Sequence, residues 1–600
     1  MIIEIDLNNS FVNKSIISSS LNNGIIIETS FFFMFYKSSY KIQNYFLSIF
    51  IILTLSCLLI LDRYDILYLL NPSYYAWHEQ YGSSLGQHLS GWYSYYYEEW
   101  RFPLTITKGI NHPNFNSIIL SDSIPILAVF FKFLKPIINE NFHYFGIWQI
   151  LCIILLFHSC YLLCKKKISQ SNYICILFCI LCASSYLLFS RNPNYTTIGH
   201  FLVYYALYLY LELRESITTK KIIFSSILLI SSLLIMFYFY AMVFVLLLCG
   251  YLQGLKNGNY HTKFKIGLSA YFTILILLIG YIFGFFYNLS GLNYIRITST
   301  GMPLLSLFFG SNELNINTLL GNELDVMGDN NQYESLNYLG LGMILLIVIS
   351  LNKINLVFIK KNIYLFFFFV SIFFYSLGSR IYFFDELIFS YNHNKIPFLD
   401  FVAGKLAVVG RLFIFNYIIL TYVFFKFLIL KKNKYKMIIV SIIVFLQFYD
   451  VYYLNFSEGR LKNNFLNLTS KDIKSKYKLT KSDKYQYYDY LLSEIQTNII
   501  YVVPPYNCKG SSDGAVLYAK IVREKKLTNN IWFGRDNHPC PKKINEAIEA
   551  MRKSKGEIEF IFIDHLLNED RFDSINESKD NYLTCRDVKN LENIDHCRVK

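Results

Sequence analysis

The stretch that decides the fold is Tyr144–Lys167, YFGIWQILCIILLFHSCYLLCKKK. No charged side chain occurs in it before the three lysines at its end. About 20 apolar residues are needed for a helix to cross the hydrocarbon of a membrane. A lysine cluster at the end of such a helix favours the cytoplasmic side. The stretch therefore predicts both a membrane-spanning helix and its direction.

The composition of the whole chain agrees with a membrane protein. Of 600 residues, 54% are apolar, 18% are aromatic and only 16% are charged, whereas soluble domains carry about 25% charged residues. The net charge of +14 could indicate nucleic-acid binding. However, the lysines lie in short runs between apolar stretches, as the positive-inside bias requires. We therefore expect no nucleic-acid partner.

Similar apolar stretches recur along the chain and predict a mainly α, polytopic bundle of about eleven spans in residues 44–453. The basic clusters fall on every second loop, which places those loops and residues 1–43 in the cytoplasm. No cleavable signal peptide is evident, so the first span is expected to act as a signal anchor. The predicted spans are Asn44–Leu61, Tyr144–Cys164, Asn172–Ser190, Thr197–Leu213, Lys221–Tyr238, Phe239–Leu255, Phe264–Tyr287, Leu336–Leu351, Asn362–Leu377, Arg411–Leu430 and Lys436–Tyr453.

This topology leaves a long first loop, residues 62–143, on the external face, together with loops 288–335 and 378–410 and the segment 454–600. The apolar end of the first loop, Ile118–Lys135, cannot cross the membrane in this scheme, because Lys165–Lys167 would then lie outside. We expect a juxtamembrane or re-entrant helix there. An ordinary span is the alternative.

The segment 454–600 predicts a small α/β domain outside the membrane. NIIYVVPP (498–505) and EIEFIFID (557–564) are typical of buried strands, and KKINEAIEAMRKSK (542–555) has helical spacing. A linker is expected around Asn455–Asp483.

The cysteines fall into two groups. Eight lie in predicted spans, where they are expected to act as small apolar packing residues. Four lie in the C-terminal segment, and an even number in an external domain indicates two disulfides. We favour Cys508–Cys540 and Cys585–Cys597 among the three pairings, with four free thiols as the alternative. A zinc site is disfavoured because no CxxC spacing is present.

Three residues of the first loop are candidates for catalysis, since polar groups beside a membrane are costly. Asp122, in SDSIP, could act as a general base, help to hold a divalent cation, or only cap the helix that follows. His88, in QHLSGW, could be a base, a cation ligand or a structural residue. Glu98 follows an aromatic run and could be merely solvated. The chain has no HExxH, GxSxG, P-loop or GxGxxG motif.

Further polar and aromatic residues are candidates for ligand binding. Arg411 opens a span from the outer side, where it could hold a phosphate or extend along the lipid interface. Glu334 enters a span from the same side and could instead cap it. The other candidates, all in the first loop, are Gln87, Trp92, Trp100 and Arg101.

Four segments resemble a family of uncharacterised bacterial multi-spanning membrane proteins, described only as a domain of unknown function and related to GT-C-type membrane glycosyltransferases. They are QHLSGWYSYYYEEWRFPLTI (87–106), SDSIPILAVFFKFL (121–134) with FHYFGIWQILC (142–152), QYESLNYLGLG (332–342) and VGRLFIFNYII (409–419). The resemblance covers roughly residues 45–600.

The resemblance implies a GT-C-like fold in a bacterial inner membrane. Such enzymes take a sugar from a polyprenyl-phosphate donor on the external face, and an acidic residue of the first loop serves as base or metal ligand. Asp122 would have that role here, Arg411 would contact the donor phosphate, and aromatic residues including Trp92 and Trp100 would line the sugar groove. Relatives have an Asp-Pro pair shortly before the Gln-His, and this chain has Ser84-Leu85 there.

Three functions follow as hypotheses. The first is transfer of a sugar from the lipid-linked donor to a glycan or lipid of the cell envelope. The second is a non-catalytic protein of envelope assembly, which the serine at position 84 favours. The third is a flippase or transporter of a lipid-linked glycan. The third is disfavoured because the chain lacks internal repeats.

Overall fold

The structure is a computed structural model, and the chain divides into two units, Met1–Leu55 and Ser56–Lys600. The contacts that follow lie within the second unit. The structure describes residues 47–59, 69–71, 84–110, 112–190, 195–258, 260–287, 301–311, 318–321, 336–354, 356–383, 386–391, 406, 408–430, 435–453, 488, 490–504, 512–529, 540–554, 556–563, 567, 573–587 and 594–600.

The described residues are mostly helical, because long apolar runs here contain few helix-breaking residues. The helices preceding the C-terminal segment are α1 Leu47–Leu59, α2 Ser84–Tyr97, α3 Pro125–Phe133, α4 Phe145–Lys167, α5 Asn172–Ala183, α6 Tyr186–Ser190, α7 Phe201–Leu213, α8 Thr219–Ile235, α9 Phe237–Asn257, α10 Thr262–Ile282, α11 Leu341–Ser350, α12 Leu356–Lys361, α13 Ile363–Ser376, α14 Phe413–Leu430 and α15 Lys436–Gln447.

Four helices of the described residues are long and apolar enough to cross a membrane: Phe145–Lys167, Phe237–Asn257, Thr262–Ile282 and Val409–Leu430. The last of these includes the 3-10 turn Val409–Leu412 before α14. Four further apolar helices are shorter, namely α1, α5, Leu341–Lys353 and α13. The structure therefore supports a membrane-associated helical protein but does not support the predicted count of about eleven spans. Breaks such as the one between α5 and α6 interrupt stretches that look continuous in sequence.

Close contact between helices depends on two glycines of α9. A Cβ added at Gly254 would lie 2.4 Å from the carbonyl oxygen of Leu213, and one at Gly250 would lie 3.1 Å from the Cα of Tyr210. Small residues at such positions allow the helix backbones to approach. As a result α9 packs tightly on α7, which in turn packs on α4.

Ion pairs collect where α4, α7 and α9 end and α8 begins, and we call this region the lysine end. The ammonium of Lys167 lies 3.1 Å from Glu215 and also pairs with Glu212. Lys221 lies 3.5 Å from Glu212. Because Asn257, at the end of α9, donates to the carbonyl of Arg214, the cluster joins loops that the sequence analysis assigned to one side of the membrane.

The apolar end of the first loop forms a short helix rather than a long one. After two short antiparallel strands, β1 Ile106–Thr107 and β2 Asn116–Ser117, the chain turns into α3, which has 9 residues. At 1.5 Å per residue such a helix is only about 14 Å long, less than half of the hydrocarbon thickness. Length alone therefore excludes α3 as a full span.

The C-terminal segment contains a five-stranded sheet. Two antiparallel strands, β3 Arg380–Phe383 and β4 Glu386–Ser390, precede this segment. The strands of the sheet are β5 Ile499–Val503, β6 Leu527–Thr528, β7 Ile558–Ile563, β8 Leu583–Asp587 and β9 Ile594–Val599, in the order β6-β5-β7-β9-β8. β5 is parallel to β6 and β7, whereas β9 is antiparallel to β7 and β8. Both predicted strands and the predicted helix are present, the helix as α17 below. The predicted linker lies outside the described residues.

Helices of this segment cover the sheet. They are α16 Ser512–Arg523, α17 Cys540–Lys553 and α18 Asp573–Tyr582. Ile544, Ala547 and Met551 of α17 are buried against Phe560 and Phe562 of β7. These residues alternate along the strand and recur at helical spacing along α17, so the amphipathic pattern determines which faces meet.

A buried charged group lies on the opposite face of β7. The imidazole of His596 bonds through Nε2 to the carboxylate of Glu559, and its Nδ1 accepts from Arg586 at 3.3 Å. Burial raises the pKa of Glu559, but the hydrogen bonds and charges of His596 and Arg598 outweigh this effect and lower it overall. Burial lowers the pKa of His596. The geometry fits a neutral His596 imidazole that donates a hydrogen bond to the Glu559 carboxylate. The role of this pair is therefore structural.

Candidate functional site

Helix α2 forms the core of the first loop. Trp92 and Tyr95 are fully buried. The indole of Trp92 donates to the carbonyl of Phe142 at 2.7 Å, and the hydroxyl of Tyr95 donates to the carbonyl of Leu104 at 2.6 Å. Burial raises the pKa of Tyr95 far above its usual range. The structure thus places Trp92 inside the loop, where it binds the returning chain, and not in a groove open to solvent.

The structure brings His88 and the Asp122 segment together. The imidazole of His88 donates from Nδ1 to the carbonyl of Ser121 at 3.2 Å, and the hydroxyl of Ser123 donates to the carbonyl of His88 at 2.8 Å. The two serine hydroxyls lie 2.7 Å apart. His88 therefore binds the residues on both sides of Asp122.

Gly91 makes this contact possible. A Cβ added there would lie 2.0 Å from the hydroxyl oxygen of Ser121 and 2.3 Å from that of Ser123. Any other residue at position 91 would push α2 away from the Asp122 turn. This glycine has a steric role that the sequence analysis did not identify.

Asp122 itself has an unusual backbone conformation. Its φ is 52°, and that of Ile124 is 48°, in a left-handed region that non-glycine residues seldom adopt. Asp122 is 8% exposed. The N-cap residue of α3 is Ile124, whose side chain makes no capping hydrogen bond. Asp122 is therefore not the N-cap residue of this helix, and it belongs to a strained turn.

Glu98 holds the backbone of the loop. Its carboxylate accepts hydrogen bonds from the amides of Lys108 at 2.8 Å and Gly109 at 2.6 Å, and from the hydroxyl of Thr107 at 2.7 Å. Arg101 lies 3.5 Å from it. These contacts indicate a structural role for Glu98, and its catalytic role stays a prediction.

Trp100 and Arg101 lie at the surface beyond the end of α2. Trp100 is 48% exposed, and the guanidinium of Arg101 lies 5.1 Å from the ring centroid of Phe115. Lys132 of α3 lies 5.0 Å from the ring of Trp100. This lysine is not among the residues predicted from the sequence.

Arg411 is buried rather than extended along an interface. It is 8% exposed, and its guanidinium lies 5.1 Å from the ring centroid of Tyr238. The Tyr238 hydroxyl in turn accepts from the amide of Val408 at 2.7 Å. Gln87 is half-buried on α2. Glu334 lies outside the described residues.

Gln447, at the end of α15, and Asp450, in the π-helical turn Phe448–Tyr453 that follows it, have a role that was not predicted from the sequence. Asp450, which is 0% exposed, accepts from the amides of Leu319 and Leu341 at 2.7 Å and from the hydroxyl of Tyr338 at 2.6 Å. Gln447 accepts from the amide of Met343 at 2.9 Å. The sequence signal that could have identified these two residues is a glutamine and an aspartate at the end of an apolar run.

The C-terminal sheet is attached to the first loop. The amide of Thr528 donates to the carbonyl of Gly109 at 3.0 Å, and the amide of His112 donates to the carbonyl of Thr528 at 2.9 Å. Lys525 pairs with Glu140 at 2.9 Å, and α16 packs against α2. The loop thus covers the free edge of β6, which is how sheets avoid an unpaired edge strand.

Cys585 and Cys597 form a disulfide between β8 and β9, which is one of the two favoured pairings. Cys508 lies outside the described residues. No group of three or more His, Cys, Asp or Glu side chains that could hold a metal ion occurs in the part of the chain that the structure describes. The proposed cation ligands Asp122 and His88 thus have no third such side chain among the described residues.

Comparison with known proteins gives a family and no function. No curated protein matches the chain, and no solved structure matches it. One family model covers residues 52–452, about two thirds of the chain, which includes the first loop and the helices up to the end of α15. The chain belongs to the family that this model describes as a domain of unknown function (DUF6311).

Proposed function

We propose that this protein is a membrane glycosyltransferase of GT-C type. It would transfer a sugar from a polyprenyl-phosphate donor to a glycan or lipid of the cell envelope, on the external face of the membrane. The observation that carries the proposal is the strained, nearly buried turn at Asp122, which His88 holds from both sides. Strained backbone of this kind clusters at active sites.

Asp122 would act as the general base. Its carboxylate takes the proton of an acceptor hydroxyl while the hydroxyl oxygen bonds to the anomeric carbon of the sugar. The bond from that carbon to the phosphate oxygen breaks, and the polyprenyl phosphate leaves with the electron pair. His88 has a positioning role, because its ring and carbonyl fix the peptide groups on either side of Asp122. Arg411 is the candidate for contact with the donor phosphate.

The proposed topology has the lysine end in the cytoplasm and the first loop and C-terminal segment outside. Its support is twofold. The bonds from Thr528 to Gly109 and His112 require the two external regions to share one side, and the ion pairs of Lys167, Glu212 and Lys221 join loops assigned to the other. The four long helices and the four shorter apolar ones would account for eight crossings. Helices α7, α8 and α15 would provide the other three.

The test is transfer by the purified full chain from a labelled polyprenyl-phosphate sugar to membrane acceptor. Asp122→Asn should abolish release of the sugar while leaving the thermal midpoint nearly unchanged. Asp573→Asn, at an exposed position on α18, is the matched control and should transfer normally. Transfer by Asp122→Asn at the wild-type rate would refute the assignment.

The second candidate is a non-catalytic protein of envelope assembly. Two observations favour it. Glu98 binds the backbone of the loop, and the C-terminal sheet is hydrogen-bonded to the loop. In that case the donor binds to the wild type and to Asp122→Asn alike, and neither protein releases sugar.

A further inference from the structure

Lys132 lies in an aromatic cage at the end of α2. It is 2% exposed, and its ammonium is 3.9 Å from the ring centroid of Tyr95 and 5.0 Å from that of Trp100. It donates to the carbonyl of Glu99 at 3.1 Å. Contact with two rings stabilises a cation, so the ammonium is held in a defined position.

Positive charge exceeds negative charge around this lysine. Burial lowers the pKa of Lys132 to about 8; the charge of Glu98 raises it, and those of Lys135 and Arg101 lower it further. Glu98 already binds three donors of the chain itself. Three cations thus face one engaged carboxylate, and an added anion would relieve their repulsion.

Exposed apolar side chains lie within two residues of the three cations in the chain. Phe133 and Ile137, on α3 and the turn after it, are 75% and 78% exposed, and Phe130 and Phe102 are 54% and 59% exposed. A short helix with large exposed apolar side chains, followed by an exposed lysine, is typical of elements that lie in the membrane interface. Exposed aromatic residues such as Trp100 favour the level of the lipid head groups.

The neighbour of α3 is consistent with a lipid environment. α3 packs against α8, whose Ile223 and Ile227, nearer to the lysine end, are 53% and 54% exposed. In the proposed topology α8 crosses the membrane, and exposed apolar residues on such a helix contact lipid. The exposed side of α3 would then lie at the level where lipid hydrocarbon begins.

We propose that Arg101, Lys132 and Lys135 bind the phosphate of a membrane lipid, whose hydrocarbon chain lies along Phe130, Phe133 and Ile137. Arg101 and the exposed Lys135 contact the phosphate oxygens, since a guanidinium can bind two of them at once. Lys132 stays in its cage and contributes its charge. The site rests on the proposed membrane placement of the first loop and requires no sugar transfer.

The full chain in phosphatidylcholine nanodiscs tests this site by quenching of tryptophan fluorescence. Dibrominated phosphatidic acid should quench Trp100 more strongly than an equal amount of dibrominated phosphatidylcholine. Arg101→Gln with Lys135→Gln, both at exposed positions, should remove that excess. Trp100→Phe should remove it too, because it removes the reporter.

Lys525→Gln is the matched control, because Lys525 is an exposed lysine on the C-terminal segment, and the excess quenching should remain. Asp122→Asn should also keep it, so failure of the transfer hypothesis leaves this result intact. If phosphatidic acid still quenches more strongly than phosphatidylcholine in the Arg101→Gln, Lys135→Gln variant, the proposal is overturned. Inorganic phosphate that abolishes the excess would also overturn it, because the site would then recognise free phosphate and not a lipid.

Discussion

The two ends of the helices use charge in different ways. At the lysine end, Lys167, Glu212, Glu215 and Lys221 pair with one another, and the exposed fraction of their side chains ranges from 12% to 59%. At the opposite end, which we call the loop end, Glu98 and Asp450 bind mainly backbone amides and hydroxyls. The partners of Glu98 lie in the same loop, and those of Asp450 lie in segments distant in the chain. At the lysine end, carboxylates therefore pair with ammonium groups. At the loop end, carboxylates instead accept hydrogen bonds that hold segments without regular secondary structure.

This difference has energetic consequences. Ion pairs exposed to water contribute about 0–1 kcal/mol each, because solvent screens them. A buried donor that loses its acceptor costs about 1–3 kcal/mol. Substitutions at the loop end should therefore destabilise the protein more than matched substitutions at the lysine end.

The largest effect is expected from Asp450→Ala. It leaves the amides of Leu319 and Leu341 and the hydroxyl of Tyr338 without their acceptor in a buried site, at a cost of about 3 kcal/mol or more. The thermal midpoint of the detergent-solubilised chain should fall clearly. A midpoint equal to that of the wild type would show that the loop end does not depend on this carboxylate.

Glu98→Gln should have an intermediate effect. The amide group keeps one acceptor oxygen but loses the charge, and its NH₂ group opposes one of the donor amides, which should cost about 1–2 kcal/mol. Because Gly109 also bonds to Thr528, proteolysis of the first loop should become faster. Glu99→Gln, at an exposed neighbouring position, is the control and should leave the rate of cleavage unchanged.

Acid should weaken the attachment of the C-terminal sheet to the first loop. Burial, and then the charge of Lys108, lower the pKa of His112 to about 4, from about 6.5 in the unfolded chain. The folded state thus binds fewer protons between these values, so stability is complete above pH ~6.5 and declines as the pH falls toward 4. Limited proteolysis across this range measures the effect.

His112→Phe keeps a ring beside Tyr501, whose centroid lies 6.2 Å away, and should flatten that pH dependence. His261→Phe, at an exposed position before α10, should retain it. Identical pH profiles for the wild type and His112→Phe would mean that other groups account for the acid response.

The smallest effect is expected from Glu215→Gln at the lysine end. Its side chain is 59% exposed and pairs with Lys167, so the cost should be below about 1 kcal/mol. The thermal midpoint should stay close to that of the wild type at moderate salt. A loss as large as that of Asp450→Ala would remove the distinction between the two ends.

Sequence reasoning predicted some elements well and others poorly, for identifiable reasons. The strands β5 and β7 and the helix α17 were predicted because period-2 and helical patterns are local. The break between α5 and α6 was not, because Ser184 and Ser185 look like ordinary residues of an apolar run. Only their packing and hydrogen bonds, such as that from Gln447 to the Ser184 carbonyl at 3.2 Å, distinguish them.

The same contrast applies to the candidate site. His88 and Asp122 were selected as polar residues of a loop between spans, and the structure brings their segments together. Glu98, equally polar in sequence, proved to be a backbone anchor, and Trp92 a core residue. A side chain's type does not reveal how many donors the fold will place around it.

The sequence by itself determined the membrane class, the alternation of basic loops and the α/β character of the C-terminal segment, because these follow from composition and short-range periodicity. Only the tertiary structure decided which carboxylates bind donors of the chain itself, that Gly91 must be small, and that the C-terminal sheet packs against the first loop. Those features depend on contacts between residues far apart in the chain, such as Gly109 with Thr528. No local pattern specifies such contacts.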